Sequence, residues 1–512
     1  MYKMLKHNIN GCFAKIISKL YLNTEVAIKL EDGITESFST NIGVRQGCVL
    51  SPTLFNLYLS DLPEFLMTNN CETVKLYNEH ISCLLFADDL VIFAETKEGL
   101  QKTLHTLSSY CNRWLLKINA DKTKVLVFNK SGKILKSDKF HIDGRDVENV
   151  KVQKYLGVKF NNNGNFSETI KYLSGKARKA CFRLRSIIHD TDMAVPNSMH
   201  LFDSLIKPIL LYSSETWGAF VNKKQLFELT SGKYSVYDNF DFEKVHLKFC
   251  KFILGVHQKT SNSAVRGDLG RYPFTISILK QVIKNWMRIT SEEVNPILYD
   301  TYLCNVDLIN KNVPCWLSNI KDIIVNKLEL CEVWNNQGAI NKTKHISIIT
   351  KDMKNLYKMQ WLHTLFNDER KNVHTGKKLR TYRKFKYVFK SEEYLVNFKN
   401  RRNRFIFSRL RCSAHRLLIE TGRYSRPKIP VEERICMKCD LNQVEDEYHL
   451  IRICKLHERI RADLDRNISE IEETYVHMND SQKFVYLMSA GTKICSILEM
   501  FIQKLYNVMG DI

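Results

Sequence analysis

Leu84-Leu85-Phe86-Ala87-Asp88-Asp89-Leu90-Val91-Ile92-Phe93 places two adjacent carboxylates between two short apolar runs. Each run mixes aliphatic and aromatic residues and reads as a buried strand. The Asp pair is therefore expected at the tip of a hairpin. Burying two like charges side by side is costly unless a cation neutralises them, and a divalent ion is the obvious candidate. An isolated Asp-Asp is also ordinary turn chemistry facing water. The residues upstream decide between the two.

Thr40 to Asp61 reads TNIGVRQGCVLSPTLFNLYLSD. Gly43-Val44-Arg45-Gln46-Gly47 is a small, flexible stretch with a cation and an amide. Ser51-Pro52 predicts a helix start, with Ser51 as N-cap and Pro52 at the first helical position. Leu54, Leu57 and Tyr58 follow at helical spacing on one face. A glycine-hinged polar loop, a helix and an acidic hairpin in this order are rare by chance.

The bulk composition narrows the partner. The chain has 512 residues and a formal net charge of +22, so an anionic partner is expected, nucleic acid or an acidic membrane. No apolar run approaches the roughly 18 residues of a spanning helix. The start, Met1-Tyr2-Lys3-Met4-Leu5-Lys6-His7, lacks the apolar core of a signal peptide. The 15 cysteines are odd in number and mostly scattered, so they read as reduced thiols. The expected setting is intracellular, cytoplasm or nucleus, without secretion or membrane association.

The motifs resemble those of reverse transcriptases of non-LTR (LINE-type) retrotransposons. Gly43 to Asn56 is similar to the family's template- and nucleotide-contacting motif, and Phe86-Ala87-Asp88-Asp89 to its catalytic hairpin. Trp114 to Asn119 with Ala120 to Lys124 resembles the next palm motif, and Tyr155-Leu156-Gly157-Val158 the strand pair that grips the primer end. Lys207 to Gly218 and Gly267-Asp268-Leu269-Gly270-Arg271-Tyr272-Pro273 resemble stretches common after the palm.

The resemblance implies an α+β fold: a partial polymerase palm, an antiparallel sheet with helices, over residues 1–165. A helical thumb follows over 166–290, then a helix-rich basic region over 291–425, a small zinc knuckle over 426–460 and a helical tail over 461–512. It implies RNA-directed DNA polymerase activity by two-metal nucleotidyl transfer, with magnesium held by oxygen ligands. Asp88 would be the direct ligand and Asp89 a supporting one. Arg45, Gln46 and Gly47 would position nucleotide and template, and Tyr155, Leu156 and Gly157 would lie at the primer terminus. Lys122 would meet the pyrophosphate, or else be a solvated lysine in a charged loop. The partners implied are an RNA template, the element's own RNA among them, and a DNA primer or target.

The family site also requires a third carboxylate, on an earlier strand in an Ala-Phe-Asp-like pattern. This sequence does not contain it before Gly43. Glu31-Asp32-Gly33, between Val26 to Leu30 and Ile34-Thr35, reads as a hairpin turn rather than that ligand. The chain therefore reads as N-terminally truncated relative to the family and inactive alone. The alternatives are a non-enzymatic nucleic-acid-binding remnant and a domesticated zinc-binding protein.

Downstream, Phe166 to Asp190 is a basic amphipathic pattern, predicted as a helix. Pro196 to Tyr212 and Phe242 to Leu254 read as further helices, Ser231 to Asn239 as a loop, and Ser261 to Arg271 as a boundary. Trp316, Trp334 and Trp361 are expected in the core. Lys377, Lys378, Arg380, Arg383, Lys384, Lys386, Arg401, Arg402 and Arg404 are interleaved with Tyr382, Phe385, Tyr387, Phe389, Phe405 and Phe407. Such a mixture can neutralise phosphates and stack on bases. The competing reading is a solvated charged face over a buried aromatic stripe.

Cys436, Cys439, His449 and Cys454 give C-x2-C-x9-H-x4-C. Three thiolates and an imidazole suit tetrahedral zinc with no open position, hence a structural role. His457 competes for the imidazole role. The resemblance, to the C-terminal Cys-Cys-His-Cys knuckle of LINE-type proteins, favours His449.

Overall fold

The computed structural model describes all residues except 41, 136, 222–235, 291–294, 338–340, 367–378 and 511–512. Its architecture is mixed α/β, with small sheets in the N-terminal part and helices throughout. The chain forms two compact units. One comprises Met1–Gln153, Asn161–Gly164 and Asn295–Cys304, and the other holds Lys154–Phe160, Asn165–Val294 and Asn305–Ile512.

In the first unit the strands pair locally. Cys83–Phe86 and Asp89–Ile92 form one two-stranded antiparallel ladder. Phe140–Ile142 pairs antiparallel with Arg145–Asn149, which also pairs parallel with Lys124–Val125. The strands are two to five residues long and form five separate small sheets among the described residues, where a single sheet was expected. Lys29–Leu30 and Gly33–Ile34 pair around Glu31-Asp32, the hairpin read from the sequence.

Two apolar clusters hold this unit. Leu62, Leu66, Leu104, Leu107, Tyr110, Phe140 and Ile142 form the larger, and Leu85, Leu90 and Ile92 of the acidic hairpin pack against its edge. Met4, Ala14 and Ile17 form the smaller, covered by Leu50, Leu54 and Leu57. Leu54 and Leu57 share one face of the Ser51–Leu59 helix, as their spacing predicts, whereas Tyr58, predicted on the same face, packs against Trp114. The helix starts one residue earlier than expected: Leu50 is the N-cap, and the Ser51 hydroxyl instead donates to the Arg45 carbonyl at 2.6 Å. Lys3 is buried beneath the same helix. Its ammonium lies 3.9 Å from the Trp114 ring centre and 2.6 Å from an Asp61 carboxylate oxygen. The aromatic faces and the carboxylate compensate the loss of water around this cation.

The second unit is helical apart from a hairpin. Ser167–Asp190 is a single helix that buries Leu173, Ala177, Cys181, Leu184 and Ile188, a 3.6-residue stripe, and packs on Asp241–Leu254. The stretch expected as one helix over 196–212 is helical, but passes through a π-type turn at Phe202–Ile206. Pro208 explains this: it has no N–H to donate back to residue 204, so the ladder widens before it. Ser261 to Arg271, expected as a boundary, is instead a buried helix over Asn262–Leu269. Its glycines serve close packing. A Cβ on Gly267 would sit 2.5 Å from the Tyr382 hydroxyl, and one on Gly270 2.5 Å from the Ser391 nitrogen.

Asp268, between those glycines, is the centre of a buried polar hub. It accepts from Arg411 Nε and Nη2, both at 3.0 Å, from Tyr382 at 3.0 Å and from Tyr394 at 2.8 Å. Glu392 lies 3.1 Å from Arg411 and also pairs with buried Lys386. Of the tryptophans expected in the core, Trp361 is buried; Trp316 and Trp334 are half-buried, and Trp217 and Trp286 lie deeper. No single described helix is long and apolar enough to cross a membrane. The bent pair Asp480–Ser489 and Thr492–Met509 meets that test only by length and composition, and it packs Phe484, Leu487, Leu498, Phe501 and Leu505 inside the unit.

Candidate active site and candidate metal centre

The acidic hairpin forms where the sequence places it. Phe86 pairs with Asp89 in register, leaving Ala87-Asp88 as a two-residue turn, with Ala87 in the left-handed region at φ 51°. The flanking runs are not buried strands. They alternate: Leu85 and Leu90 face the core edge, while Leu84 and Phe86 are exposed. A two-stranded ladder with one packed face cannot bury both sides of its strands. Asp88 and Asp89 are consequently both exposed, which removes the desolvation that the sequence reading assigned to them. Among the described residues no third His, Cys, Asp or Glu joins them at metal-ligand separation. Two exposed neighbouring carboxylates do not by themselves make up a two-ion site.

The Arg45 loop is tied to the preceding helix. Gly43 (φ 92°) and Gly47 (φ 82°) adopt backbone that favours glycine, and the Cys48 N–H donates to the Arg45 carbonyl. The Arg45 guanidinium donates to the Leu20 carbonyl and to Thr24 Oγ1 (3.2 Å) and lies 5.7 Å from the Tyr21 ring centre. Gln46 and Gly47 are exposed. Lys122 is also exposed, on a turn in which its own N–H and that of Thr123 donate to Asn119. All of these lie in the first unit with the acidic hairpin.

Tyr155, Leu156 and Gly157 belong to the second unit. Val152–Tyr155 and Val158–Asn161 flank a tight turn with Leu156 at φ 43° and Gly157 at φ 82°. Both turn residues have positive φ, as the hairpin turn matching strand twist requires. Tyr212 donates to the Leu156 carbonyl at 2.8 Å, and a Cβ on Gly157 would lie 2.8 Å from the Tyr212 ring. Tyr212 was not assigned a role from sequence. Its signal is its position in the Lys207 to Gly218 stretch, yet nothing local to either segment reveals the contact.

The basic segment divides into buried and exposed parts. Lys377 and Lys378 lie outside the described residues. Arg380 pairs with Glu420 (3.0 Å) and Glu447 (2.7 Å), and Lys386 with Glu392. Arg383 is half-buried and donates to the Leu379 carbonyl. Arg404 is buried, Arg401 half-buried, and Lys384 and Arg402 exposed. Tyr382, Phe385, Phe389 and Phe407 are core residues; Phe405 is half-buried and Tyr387 exposed. An outward basic face occurs instead on the Ser167–Asp190 helix, where Lys176, Arg178, Lys179 and Arg183 are exposed. Lys154, Lys159 and Lys176 surround the Tyr172 ring at 5.1–5.5 Å; hydrogen bonding from Lys154 and these charges hold its hydroxyl below the usual range.

Cys436, Cys439, His449 and Cys454 converge. One ligand atom from each lies within 4.8 Å of all the others, and they are the sole such group among the described residues. Tetrahedral zinc with thiolates near 2.3 Å puts ligand atoms roughly 3.8 Å apart, so the residues fit the ion. The bridge Ile435–Val444 and the Cys436 N–H to Gln443 carbonyl bond (2.8 Å) shape the first loop. Asp446 accepts from the His449 N–H at 2.8 Å, aiming Nε2 to within 3.4 Å of the Cys439 sulfur. His457 is not in the group. None of the 15 cysteines is in a disulfide.

The family described as reverse transcriptase (RNA-dependent DNA polymerase) matches residues 2–160. That match covers the N-terminal part of the chain, and the proteins similar to it come from non-LTR retrotransposons. The chain is 25% identical over 184 residues to the RNA-directed DNA polymerase from mobile element jockey of Drosophila melanogaster, covering 34% of this chain and 19% of that protein. It is 32% identical over 160 residues to the retrovirus-related Pol polyprotein from type-2 retrotransposable element R2DM of the same species, covering 30% and 15%. A type-1 R2 element polyprotein of Popillia japonica is 30% identical over 209 residues, covering 34% and 33%. The chain thus spans a third or less of the length of these relatives.

Proposed function

We propose that this chain carries the Asp88-Asp89 part of an RNA-directed DNA polymerase site, acting on an RNA template and a DNA primer. The observation that carries the reading is the solvent-facing acidic turn, in a segment that matches the reverse-transcriptase family. Asp88 and Asp89 would hold magnesium only together with a further carboxylate ligand, and the ion would supply the charge stabilisation that nucleotidyl transfer needs. Arg45, Gln46 and Gly47 would orient nucleotide and template, and Lys122 would meet the pyrophosphate. Tyr155, Leu156 and Gly157 form a rigid turn suited to holding a primer end, and the helices after it would act as the thumb.

The Cys436, Cys439, His449 and Cys454 group would hold a structural zinc that shapes a nucleic-acid-gripping knuckle, with no open coordination position. Lys384, Arg402 and the exposed lysines and arginines of the Ser167–Asp190 helix would contact phosphates.

Primer extension tests the reading. The purified chain with magnesium, an RNA template and a DNA primer is expected to give no product, and extension abolished by Asp88→Ala would refute the need for a further carboxylate. Fusing a relative's polymerase segment that carries a strand carboxylate ahead of residue 1 is expected to give Asp88-dependent extension. Extension unaffected by Asp88→Ala in that fusion would sink the polymerase assignment of this hairpin.

A further inference from the structure

The Lys97–Arg113 helix of the first unit has two unlike halves. Thr103, Leu104, Leu107, Tyr110 and Cys111 are buried along one half, on the apolar cluster that Leu85, Leu90 and Ile92 edge. At about 100° per residue, Lys97, Gln101 and His105 form one row and Glu98, Lys102 and Thr106 the next, and both rows lie on the other half. These two rows, with Lys139 and His141 beside them, line an open groove of about 540 Å³.

The groove is held in shape by its own side chains. The Gln101 amide oxygen accepts the His141 N–H at 2.9 Å, and its nitrogen donates to the His141 carbonyl at 2.7 Å, as a neighbouring strand would. The second amide hydrogen reaches His105 Nε2 at 3.0 Å, which leaves the proton of the neutral His105 ring on Nδ1. Lys97 donates to the Ser137 carbonyl, and Lys102 to the Asn70 carbonyl at 2.7 Å, so both side chains are anchored at the rim. Each ammonium has three hydrogens and keeps donors for a ligand. His141 is paired with Asp146 at 2.6 Å.

The charge around the groove is one-sided. Lys97, Lys102 and Lys139 are exposed, and none is in an ion pair with a described residue. Glu98 is the one acid in the lining. A cleft lined by one sign of charge focuses its field on ligands of the other sign. The volume falls within the roughly 300–1,000 Å³ of sites that enclose a small organic ligand, so the space exceeds what a lone ion fills. Every lining residue is polar, which gives a lipid tail or an amphipathic helix nothing apolar to cover. Lysines can neutralise phosphates, and an imidazole face can stack on a base that is not already paired.

We propose that the groove between the Lys97–Arg113 helix and the Lys139 to His141 segment binds a single-stranded stretch of RNA, with Lys97, Lys102 and Lys139 on phosphates and His105 against a base. It rests on the nucleic-acid reading above and adds a second seat, on the half of the helix turned away from the cluster that supports the acidic hairpin.

The test measures binding of the full chain to labelled oligouridine, which forms no duplex, and to a labelled RNA–DNA hybrid, each across a salt series. Lys102→Gln and Lys139→Gln together are expected to weaken oligouridine binding about tenfold, and to reduce the slope of log affinity against log salt by about 0.7 for each lysine, while hybrid binding stays unchanged. Lys504→Gln removes an exposed cation of the second unit, paired with Asp463, and should change neither. His105→Ala should weaken oligouridine binding, and His105→Phe, which keeps a stacking face, should not. Photo-crosslinks from the oligouridine should fall on residues 97–106 and 139–141. Oligouridine binding that the groove variants leave unmoved, or that Lys504→Gln weakens equally, overturns the groove and leaves the hybrid reading standing. A wild type that binds neither probe overturns both. Displacement of oligouridine by inorganic tripolyphosphate at equal phosphate concentration, with His105→Ala and His105→Phe alike, makes the groove a site for free polyphosphate and overturns its assignment to a strand.

Discussion

Replacing Asp268 by Asn should destabilise the second unit by about 3 kcal/mol. The side chain is fully buried and receives four donors, two from Arg411 and one each from Tyr382 and Tyr394. Asn keeps the shape and one acceptor oxygen but removes the charge, so the hub of Asp268, Glu392, Arg411 and Lys386 changes from neutral to a buried net positive charge. Breaking a buried pair by removing one partner costs about 3–5 kcal/mol. Glu392, still 3.1 Å from Arg411, argues for the lower end.

The assay is urea unfolding followed by tryptophan fluorescence, because Trp361 packs against Gly267 beside the hub. Arg411→Met combined with Asp268→Asn should cost clearly less than the two single changes added together, since the second change removes the stranded cation. The carboxyl is held below its ordinary range: burial opposes this, but the Arg411 charge and hydrogen bonds outweigh it. A depressed carboxylate contributes stability that is present above its unfolded value, near 4, and is lost as pH falls through its folded value. Asp268→Asn should therefore flatten the acid limb of the stability profile. A loss below about 1 kcal/mol, or strict additivity in the cycle, would refute the view of Asp268 as the counter-charge of Arg411.

Gly157→Ala should destabilise the hairpin by about 1–2 kcal/mol from left-handed backbone strain alone, with the Tyr212 contact adding to it; hydrogen exchange at residues 152–161 reads this, and unchanged protection would contradict the close approach of Tyr212 to that turn. Metal analysis of the full chain should find one zinc per molecule, reduced in Cys439→Ser, and its absence from protein purified without chelator would remove the metal centre. Burial, assisted by Arg271 and Arg266 and opposed by Glu243, lowers His246 to about 4. Between that value and the ordinary 6.5 the unfolded chain binds a proton that the folded chain does not, so stability should fall as pH drops through this window, by at most about 3 kcal/mol. Equal slopes for wild type and His246→Gln over pH 6.5 to 4 would count against it.

The acidic turn, the Ser51–Leu59 helix and the Cys/His group were legible because each is encoded within a short window, as alternation, as helical spacing or as ligand spacing. What was not legible depends on partners far along the chain. Gly267 and Gly270 read as a boundary, since glycine signals both flexibility and close packing, and only Tyr382 and Ser391 decide between them. The interleaved arginines and aromatics after residue 380 suit a nucleic-acid face or a core equally well. The acids that draw Arg380, Lys386 and Arg411 inward come from Asp268, Glu392, Glu420 and Glu447. The exposure of Leu84 and Phe86 was hidden for a different reason: a run of apolar residues does not state whether one or both faces will be covered.

Glu447 has a consequence for how the Cys/His group can work. Its buried carboxylate takes Arg380, Thr381, Ser413 and His415, two residues before His449. A knuckle on a slack tether samples many spacings and adapts to whatever strand it meets. This one is fastened at its own loop to the segment that carries Arg380, Thr381, Ser413 and His415. A nucleic-acid strand gripped by the Cys/His group, as proposed above, would therefore meet a loop held in one shape rather than one that adapts to it.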